Sequence, residues 1–259
     1  MPGGEQLDFR SLASFDENRA IVLSAGSPAR MFRTDDGGAS WRELYRNDAP
    51  RIFFDALRFA DPSRGYALAD PIDGRFVLLE TTDAGESWHE LPGPVAEPGE
   101  GAFAASNSAL AVRGDVVWFA TGGSTARVFR SADRGRTWTV TLAPVPSGAA
   151  SQGIFSLAFA DDRRGALVGG DYQKPGKPGA FAVSDDGGVS WKAGPPPPGY
   201  RSCVVFVGGS RILATGTSGT DWFEPEGRWQ SAGPGMNALA SRELRGWAVG
   251  PKGAISLFR

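Results

Sequence analysis

The sequence contains very little of two residue types that build many active sites. Cysteine occurs once, at Cys203, and histidine once, at His89, in 259 residues. A single cysteine excludes an intramolecular disulfide and a cysteine-based metal site, and the apolar run around Cys203 predicts that it is buried. Because His89 is the single histidine, histidine-based triads and multi-histidine metal sites are excluded. We expect His89 on an exposed edge strand. The sequence therefore predicts no metal and no cofactor.

Long apolar runs, a signal peptide and blocks of like charge are also absent. No stretch reaches the ~18 consecutive apolar residues of a membrane helix. The first residues, Met-Pro-Gly-Gly-Glu, lack the basic and apolar segments of a secretory signal. A net charge of −2 does not favour a nucleic-acid partner. These absences predict a soluble, monomeric chain with no membrane span and no nucleic-acid partner.

Glycine and tryptophan, in contrast, recur in one repeated pattern of eight residues. Its general form is Ser/Thr-x-Asp-x-Gly-x-Ser/Thr-Trp, and it occurs four times, at Thr34–Trp41, Thr81–Trp88, Ser131–Trp138 and Ser184–Trp191. The third-position aspartate can accept hydrogen bonds from backbone N–H groups about two residues later and so fold a turn. The glycine adopts a positive φ, the Ser or Thr favours a strand restart, and the tryptophan is suited to burial. Each repeat is thus interpreted as a hairpin turn with an aromatic anchor.

We interpret these four turns as structural rather than catalytic or metal-binding, because a turn that recurs at a regular spacing is typical of a repeat fold. The structural set consists of Asp36, Gly38, Trp41, Asp83, Gly85, Trp88, Asp133, Gly135, Trp138, Asp186, Gly188 and Trp191.

The spacing of the repeats predicts an all-β propeller. Blades of four-stranded antiparallel sheet recur every ~40–50 residues, and the four closing tryptophans have a similar spacing. A second repeated element, such as Phe59–Leu68 or Phe159–Val168, is predicted to form strands A and B of a blade. The predicted C strands are Arg30–Arg33, Phe76–Glu80, Arg127–Arg130 and Gly179–Val183, and strand D leaves from each tryptophan. We predict one domain, 1–259, with six blades at 7–46, 52–92, 102–143, 152–194, 201–232 and 236–259.

The last predicted blade lacks an outer strand. Residues 1–8, with a proline and two glycines, are poor candidates to supply it. We therefore expect a seven-bladed pattern from which an N-terminal blade is absent in this chain.

The repeats resemble the Asp-box, or BNR repeat, of the sialidase-like propeller superfamily. Together with Arg64–Leu68 and Arg245–Val249, they make the chain similar to bacterial BNR-repeat proteins related to the photosystem II assembly and stability factor family. That resemblance implies an exported, usually seven-bladed propeller that acts by binding partners. This chain has one blade fewer and no signal sequence, so an exported location is expected only if its N-terminus is truncated.

Propeller geometry predicts where a site would lie. The D–A and B–C connections gather on one face around the central channel, and most departures from the repeat fall in them. Charged and aromatic side chains on scaffolded loops are typical of a binding site. The rim candidates are Asp55, Asp70, Asp73, Arg75, Glu100, Arg127, Asp171, Tyr172, Tyr200 and Arg201. The alternative is that they are solvated loop residues, with Asp70 and Asp73 capping their own turn and Arg75 pairing with one of them.

Three functions are considered. The first is a non-catalytic module that binds a protein or glycan, because arginines suit carboxylates and tyrosines offer stacking surfaces. The second is a sialidase-like hydrolase, with Arg75, Arg127 and Arg201 as a substrate clamp and Glu100 activating Tyr172 or Tyr200. The Arg-Ile-Pro signature of sialidases is missing, and Arg51–Phe53 is the nearest sequence. An oxidoreductase is disfavoured because the chain has no Gly-x-Gly-x-x-Gly between a strand and a helix.

Overall fold

The computed structural model describes residues 3–258, and strands make up nearly all of their regular structure. It contains 25 strands and a short 3-10 turn at Pro251–Gly253 within that range. Among these residues, no helix is long and apolar enough to cross a membrane. The chain divides into two compact units. One comprises Met1–Ala96, Val112–Val117 and Ser131–Trp138, and the other Glu97–Ala111, Trp118–Arg130 and Thr139–Arg259.

The strands form six antiparallel sheets, which confirms the prediction of an all-β, six-bladed propeller. Blade 1 consists of β1 (Phe9–Ser14), β2 (Ala20–Ser24), β3 (Ala29–Thr34) and β4 (Arg42–Asn47). Blade 2 consists of β5 (Phe54–Phe59), β6 (Gly65–Ile72), β7 (Arg75–Thr81) and β8 (His89–Leu91). Blade 3 consists of β10 (Leu110–Arg113), β11 (Val116–Ala120), β13 (Arg127–Ser131) and β14 (Thr139–Leu142).

Blade 4 carries two extra short strands, and blade 6 has three strands. Blade 4 consists of β15 (Ala149–Phe159), β16 (Gly165–Asp171), β17 (Ala180–Ser184) and β18 (Lys192–Ala193), extended by β12 (Gly122–Gly123) and β9 (Glu100–Gly101). Blade 5 consists of β19 (Cys203–Val207), β20 (Arg211–Gly216), β21 (Gly219–Glu224) and β22 (Arg228–Gly233). Blade 6 consists of β23 (Ala238–Arg242), β24 (Arg245–Val249) and β25 (Ile255–Phe258). Residues 3–8 form no strand, and residues 1 and 2 lie outside the described range.

The extra pairing in blade 4, which involves Gly122 and Gly123, was not predicted from the sequence. Gly122 pairs with both Gly101 and Gly153. A Cβ at Gly122 would lie 2.4 Å from the carbonyl oxygen of Gln152, and one at Gly153 would lie 2.3 Å from the Cα of Gly122. These strands therefore approach closely because no side chain separates them.

The four repeats close hairpins as predicted, but the hydrogen bonding differs from the expectation. In the first repeat, Asp36 accepts from the N–H of Ser40 at 2.8 Å, four residues later rather than two. The Thr34 hydroxyl donates to the same carboxylate and accepts from the N–H of Gly38. The Ser40 hydroxyl also donates to Asp36, so this residue closes the turn instead of only restarting a strand. Gly38 has a φ of 92°, which its lack of a Cβ permits.

Apolar side chains fill the space between neighbouring sheets. In the first unit, a core cluster joins blades 1 and 2 through residues such as Ile21, Met31 and Phe54. In the second unit, a core cluster joins blades 4 and 5. Cys203 is buried in a further cluster between blades 5 and 6, and His89 is exposed on the outer strand β8, both as predicted.

Candidate functional site

Asp55 lies inside the protein rather than on a surface rim. It sits at a register shift between β5 and β6, and its side chain is 0% exposed. Neither carboxylate oxygen has a hydrogen-bond partner. Burial, reinforced by the nearby charge of Asp70, raises the pKa of Asp55 well above its usual range, against a smaller lowering by Arg10. Burial therefore disfavours the charged form of the Asp55 carboxyl.

Asp70, Asp73 and Arg75 follow in the same blade: Asp70 lies on β6, Asp73 in the turn after it, and Arg75 at the start of β7. Asp73 is exposed and accepts a hydrogen bond from Arg51 at 2.7 Å. Arg75 donates to the carbonyl oxygen of Gly93 at 3.0 Å and lines a cleft of about 590 Å³. The solvated-loop alternative paired Arg75 with Asp70 or Asp73. In the structure it is Arg51 that forms the ion pair with Asp73. Asp70 donates its backbone N–H to the Phe53 carbonyl.

Glu100 and Arg127 form an enclosed ion pair in the second unit. The Glu100 side chain is fully buried. It accepts from the Thr121 hydroxyl at 2.6 Å, the Arg127 Nε at 2.9 Å and the Glu97 N–H at 2.9 Å. Arg127 Nη2 also donates to it, and the Arg127 guanidinium lies 4.8 Å from the centre of the Phe129 ring. The Glu100 carboxylate is therefore saturated by groups of its own chain.

The guanidinium of Arg201 also donates its hydrogen bonds to groups of its own chain. Its Nε and Nη2 donate to Asp221. Its Nη1 donates to the carbonyl oxygen of Tyr200 at 2.8 Å and to the Ser218 hydroxyl at 2.9 Å. Asp221 and Ser218 were not recognised from the sequence, since neither belongs to a repeated motif.

An aromatic cluster, Phe103–Phe155–Tyr172–Tyr200, lies in the same unit and reaches the surface through Tyr172. Phe103 and Phe155 stack with ring centres 3.8 Å apart. Tyr200 and Tyr172 each meet Phe155 edge to face, at 4.8 and 6.1 Å. Tyr200 is buried, which raises the pKa of its hydroxyl, whereas Tyr172 is 47% exposed. The two tyrosines are rim candidates from the sequence, whereas Phe155, which contacts both of them, and Phe103, which stacks on Phe155, are not.

Phe155 could have been found by aligning the repeated strands. Phe59 pairs with Gly65 in blade 2, and Phe159 pairs with Gly165 in blade 4. Counting back from these pairs makes Phe155 the counterpart of Asp55, and both lie at the same register shift.

Asp171 borders the aromatic cluster from β16. A hydrogen bond from the Ser151 hydroxyl is the main cause that lowers the pKa of Asp171. Its carboxylate also accepts from the N–H of Gln173 at 3.0 Å and lies 3.7 Å from the Lys174 amine. Asp171, Gln173 and Lys174 flank Tyr172 in the chain, and these three polar residues are called its polar margin.

The arrangement favours recognition over acid–base chemistry. Glu100 and Arg201 are saturated by internal partners, and Tyr200 is buried, while Tyr172 offers an exposed ring on a rigid aromatic base. Among residues 3–258, no group of three His, Cys, Asp or Glu side chains is placed to hold a metal ion.

Comparison with known proteins gives a curated relative by sequence and solved structures with a similar fold. No protein-family model matches the chain. The photosystem II stability/assembly factor HCF136 of Arabidopsis thaliana is 25% identical over 224 residues, which cover 82% of this chain. This chain spans half the length of that relative.

Two solved structures illustrate the fold. YCF48 bound to a D1 peptide superposes with a TM-score of 0.65 at 18% identity, covering 97% of this chain and 78% of that one. A GH74 enzyme of Niastella koreensis gives 0.67 at 17% identity, covering 93% of this chain and 40% of that one. At these identities the structural matches establish the fold alone. With the sequence match, they confirm the predicted resemblance: this chain is a six-bladed β-propeller similar in sequence to a photosystem II stability/assembly factor.

Proposed function

We propose that this chain is a non-catalytic propeller that binds a segment of a partner protein through the aromatic cluster Phe103–Phe155–Tyr172–Tyr200. The observation that carries the proposal is the exposed Tyr172 ring, held against Phe155 beside the stacked Phe103. A half-exposed aromatic ring on a fixed base offers apolar contact area at low entropic cost, because little side-chain motion remains to be lost. The residues of the polar margin supply hydrogen bonds that fix the orientation of a bound peptide.

The internal hydrogen bonds of Glu100 and Arg201 support binding rather than hydrolysis. A sialidase-like mechanism needs arginines that are open to a substrate carboxylate and a glutamate that can activate a tyrosine. Arg201 donates to Asp221, Tyr200 and Ser218, and Glu100 is held by Thr121 and Arg127. Breaking either pair would leave a buried charge without its partner, which is costly. Arg127 and Arg201 therefore act in this proposal by positioning the loops.

The relatives support the same function. The sequence relative is named a stability/assembly factor, and the YCF48 structure holds a D1 peptide. Both names describe proteins that act on other proteins. The proposal transfers that class of partner, a protein segment, to this chain. An exported location, which the resemblance implies, is part of the proposal and can be checked by fractionating host cells.

A peptide library displayed on phage tests the proposal. We expect the immobilised protein to enrich peptides whose synthetic forms bind in a fluorescence anisotropy assay. Tyr172→Ala should weaken that binding at least tenfold, because it removes the exposed ring while leaving buried contacts intact. Leu142→Ser, at an exposed position on β14, is the matched surface control and should bind like the parent.

Two results would overturn the proposal. The first is equal binding of the selected peptides to the parent and to Tyr172→Ala, which would remove the aromatic cluster from the site. The second is release of reducing sugar from a glycan substrate that is lost in Tyr172→Phe, which would establish the hydrolase instead.

A further inference from the structure

The loop between β16 and β17 carries Lys174 and Lys177, two of the four lysines of the chain. Each is followed by a proline, which restricts the lysine backbone to extended conformations. The same loop contains Tyr172, the half-exposed ring of the aromatic cluster. Residues 172–179 are called the lysine loop. Two cations and one aromatic ring therefore lie within this short segment.

Backbone hydrogen bonds give the lysine loop a defined path. The N–H of Lys174 donates to the carbonyl oxygen of Asp171, and the N–H of Lys177 donates to that of Lys174. These two bonds close successive turns. The N–H of Tyr200 donates to the carbonyl oxygen of Pro175 at 3.0 Å. Because Tyr200 belongs to the aromatic cluster, this last bond attaches the lysine loop to the cluster.

The two ends of the lysine loop lie next to each other. Strands β16 and β17 are paired up to the residues that precede and follow it. A Cβ on Gly170 would lie 3.2 Å from the Cα of Gly179, so the two chain segments are still in contact there. Tyr172 lies two residues after Gly170, and Lys177 lies two residues before Gly179. The aromatic ring and the Lys177 ammonium therefore extend from equivalent positions on the two sides of the loop.

Lys177 is exposed and forms no ion pair with the part of the chain that the structure describes, residues 3–258. The other lysine of the loop differs, because the Lys174 amine lies 3.7 Å from the largely buried carboxylate of Asp171. These two opposite charges offset each other, so Lys177 gives the surface of the lysine loop a positive charge that is not balanced. A half-exposed ring beside such a charge is complementary to a segment that has an acidic residue next to an apolar one.

We propose that Lys177 binds a carboxylate of the partner segment, from an aspartate or glutamate next to the residue that packs on Tyr172. This inference rests on the proposed function and adds the chemistry of the ligand, which is an acidic peptide. A lysine ammonium is a compact charge on a flexible stem, so it can reach the carboxylate while the aromatic ring fixes the position of the peptide. Opposite charges of this kind contribute specificity and faster association more than affinity.

The peptides that phage display enriches on the immobilised protein provide the probe. We expect them to contain an aspartate or glutamate close to an aromatic or large apolar residue. In a fluorescein-labelled synthetic form, replacing that acid by its amide should weaken binding about threefold, the effect of losing one exposed ion pair. Raising NaCl from about 50 to about 500 mM should weaken binding of the acidic peptide more than that of its amide analogue, because salt screens exposed charges.

Variants of the protein assign the contact to one lysine. Lys177→Gln should weaken binding of the acidic peptide about threefold, and Lys177→Arg, which keeps the charge, should bind like the parent. The amide peptide should bind the parent and Lys177→Gln equally, which identifies the two charges as a pair. Lys192→Gln is the matched control and should bind like the parent. It removes the same charge from an exposed lysine of blade 4 that pairs with Asp185 at 3.0 Å.

Each outcome decides for or against the acidic peptide. If Tyr172→Ala weakens binding but Lys177→Gln does not, or if the enriched peptides lack acidic residues, this inference is overturned and the proposed function stands. It is also overturned if Lys177→Gln and Lys192→Gln weaken binding equally, since the effect would then come from the net charge of the protein. If no peptide is enriched, or if Tyr172→Ala binds like the parent, the proposed function fails and this inference fails with it.

Discussion

The Arg201 guanidinium and the Asp221 carboxylate form an ion pair that is almost completely removed from solvent, with side-chain exposures of 2% and 6%. Arg201 immediately precedes blade 5, and Asp221 lies on strand β21 of that blade. The pair thus fixes the loop that carries Tyr200 onto the sheet that follows it. Arg201, a candidate for ligand binding from the sequence, therefore stabilises the fold through this buried ion pair.

Removing one member of this pair should destabilise the protein strongly. Arg201→Met leaves the Asp221 carboxylate buried without its partner, and such losses cost about 3–5 kcal/mol. The double variant Arg201→Met/Asp221→Leu should recover most of that loss, because no charge is left buried. Urea denaturation followed by tryptophan fluorescence measures both. A single variant as stable as the parent would contradict the assigned role.

Asp55 should limit stability at neutral pH. Its carboxylate has no hydrogen-bond partner, and its pKa is raised by burial and by Asp70. The unfolded chain ionises Asp55 near pH 4, and burial in the folded chain moves this ionisation to higher pH. Its contribution to stability is therefore complete below pH 4 and is lost as the pH rises towards the folded pKa.

Asp55→Asn removes this titration and should be more stable than the parent at pH 7 by about 1–3 kcal/mol. The advantage should shrink towards pH 4, where the parent carboxyl is neutral in both states. Denaturation midpoints measured from pH 4 to 8 give the comparison. A pH-independent difference between the two proteins would show that Asp55 does not titrate as described.

The repeated turns should show the opposite pH dependence. The hydrogen bond from the Ser40 hydroxyl, followed by the Ser40 N–H, lowers the pKa of Asp36 to about 2. The stabilisation is present above the unfolded pKa near 4 and is lost as the pH falls towards 2. Asp36→Asn should lower Tm at pH 7 by about 2–4 °C, the shift expected for loss of hydrogen bonds in a domain of this size.

Asp35→Asn is the matched control, because Asp35 is the adjacent residue, its side chain is about half exposed, and it accepts hydrogen bonds from Arg33 at 2.7–3.1 Å. Thermal melts of both variants at pH 7 and pH 3 test the difference. Equal Tm losses in the two would remove the special role of Asp36.

The strand crossing at Gly153 should be intolerant of any side chain. Gly153 has a φ of 148°, and a Cβ there would meet Gly122 and the Phe103 ring. Gly153→Ala should cost about 1–3 kcal/mol from overpacking, in addition to backbone strain. It should also weaken peptide binding by displacing Phe103.

Gly148→Ala separates the two effects. Gly148 also has a positive φ, of 108°, but no atom lies within 4 Å of its Cβ position. We expect it to show the backbone strain alone. Equal losses in the free energy of unfolding and equal peptide binding for Gly153→Ala and Gly148→Ala would contradict this explanation. They would show that Gly153 is not required for the close approach of the strands.

Several parts of the fold could be predicted from the sequence because their causes are local. Each repeat contains its turn-forming aspartate, its positive-φ glycine and its strand restart within eight residues, so hairpins and C strands were located to within one residue. The sequence also predicted no outer strand within the sixth blade at 236–259, and the described residues of that blade form three strands. The resemblance to assembly-factor propellers rested on the same local signals and was confirmed by the sequence relative.

Which of the candidate side chains pair internally and which stay exposed was decided by the tertiary structure. Glu100 and Arg127 are 27 residues apart, and Arg201 and Asp221 are 20 apart, so no motif reveals that they pair. The sequence identified charged residues in loops, but burial determines whether such a charge meets a ligand or an internal partner. Asp55 and Phe155 occupy equivalent positions, yet one is a carboxyl without a partner and the other the centre of an aromatic cluster. Local turn chemistry determined where the strands are, and packing between distant loops decided which side chains remain available for binding.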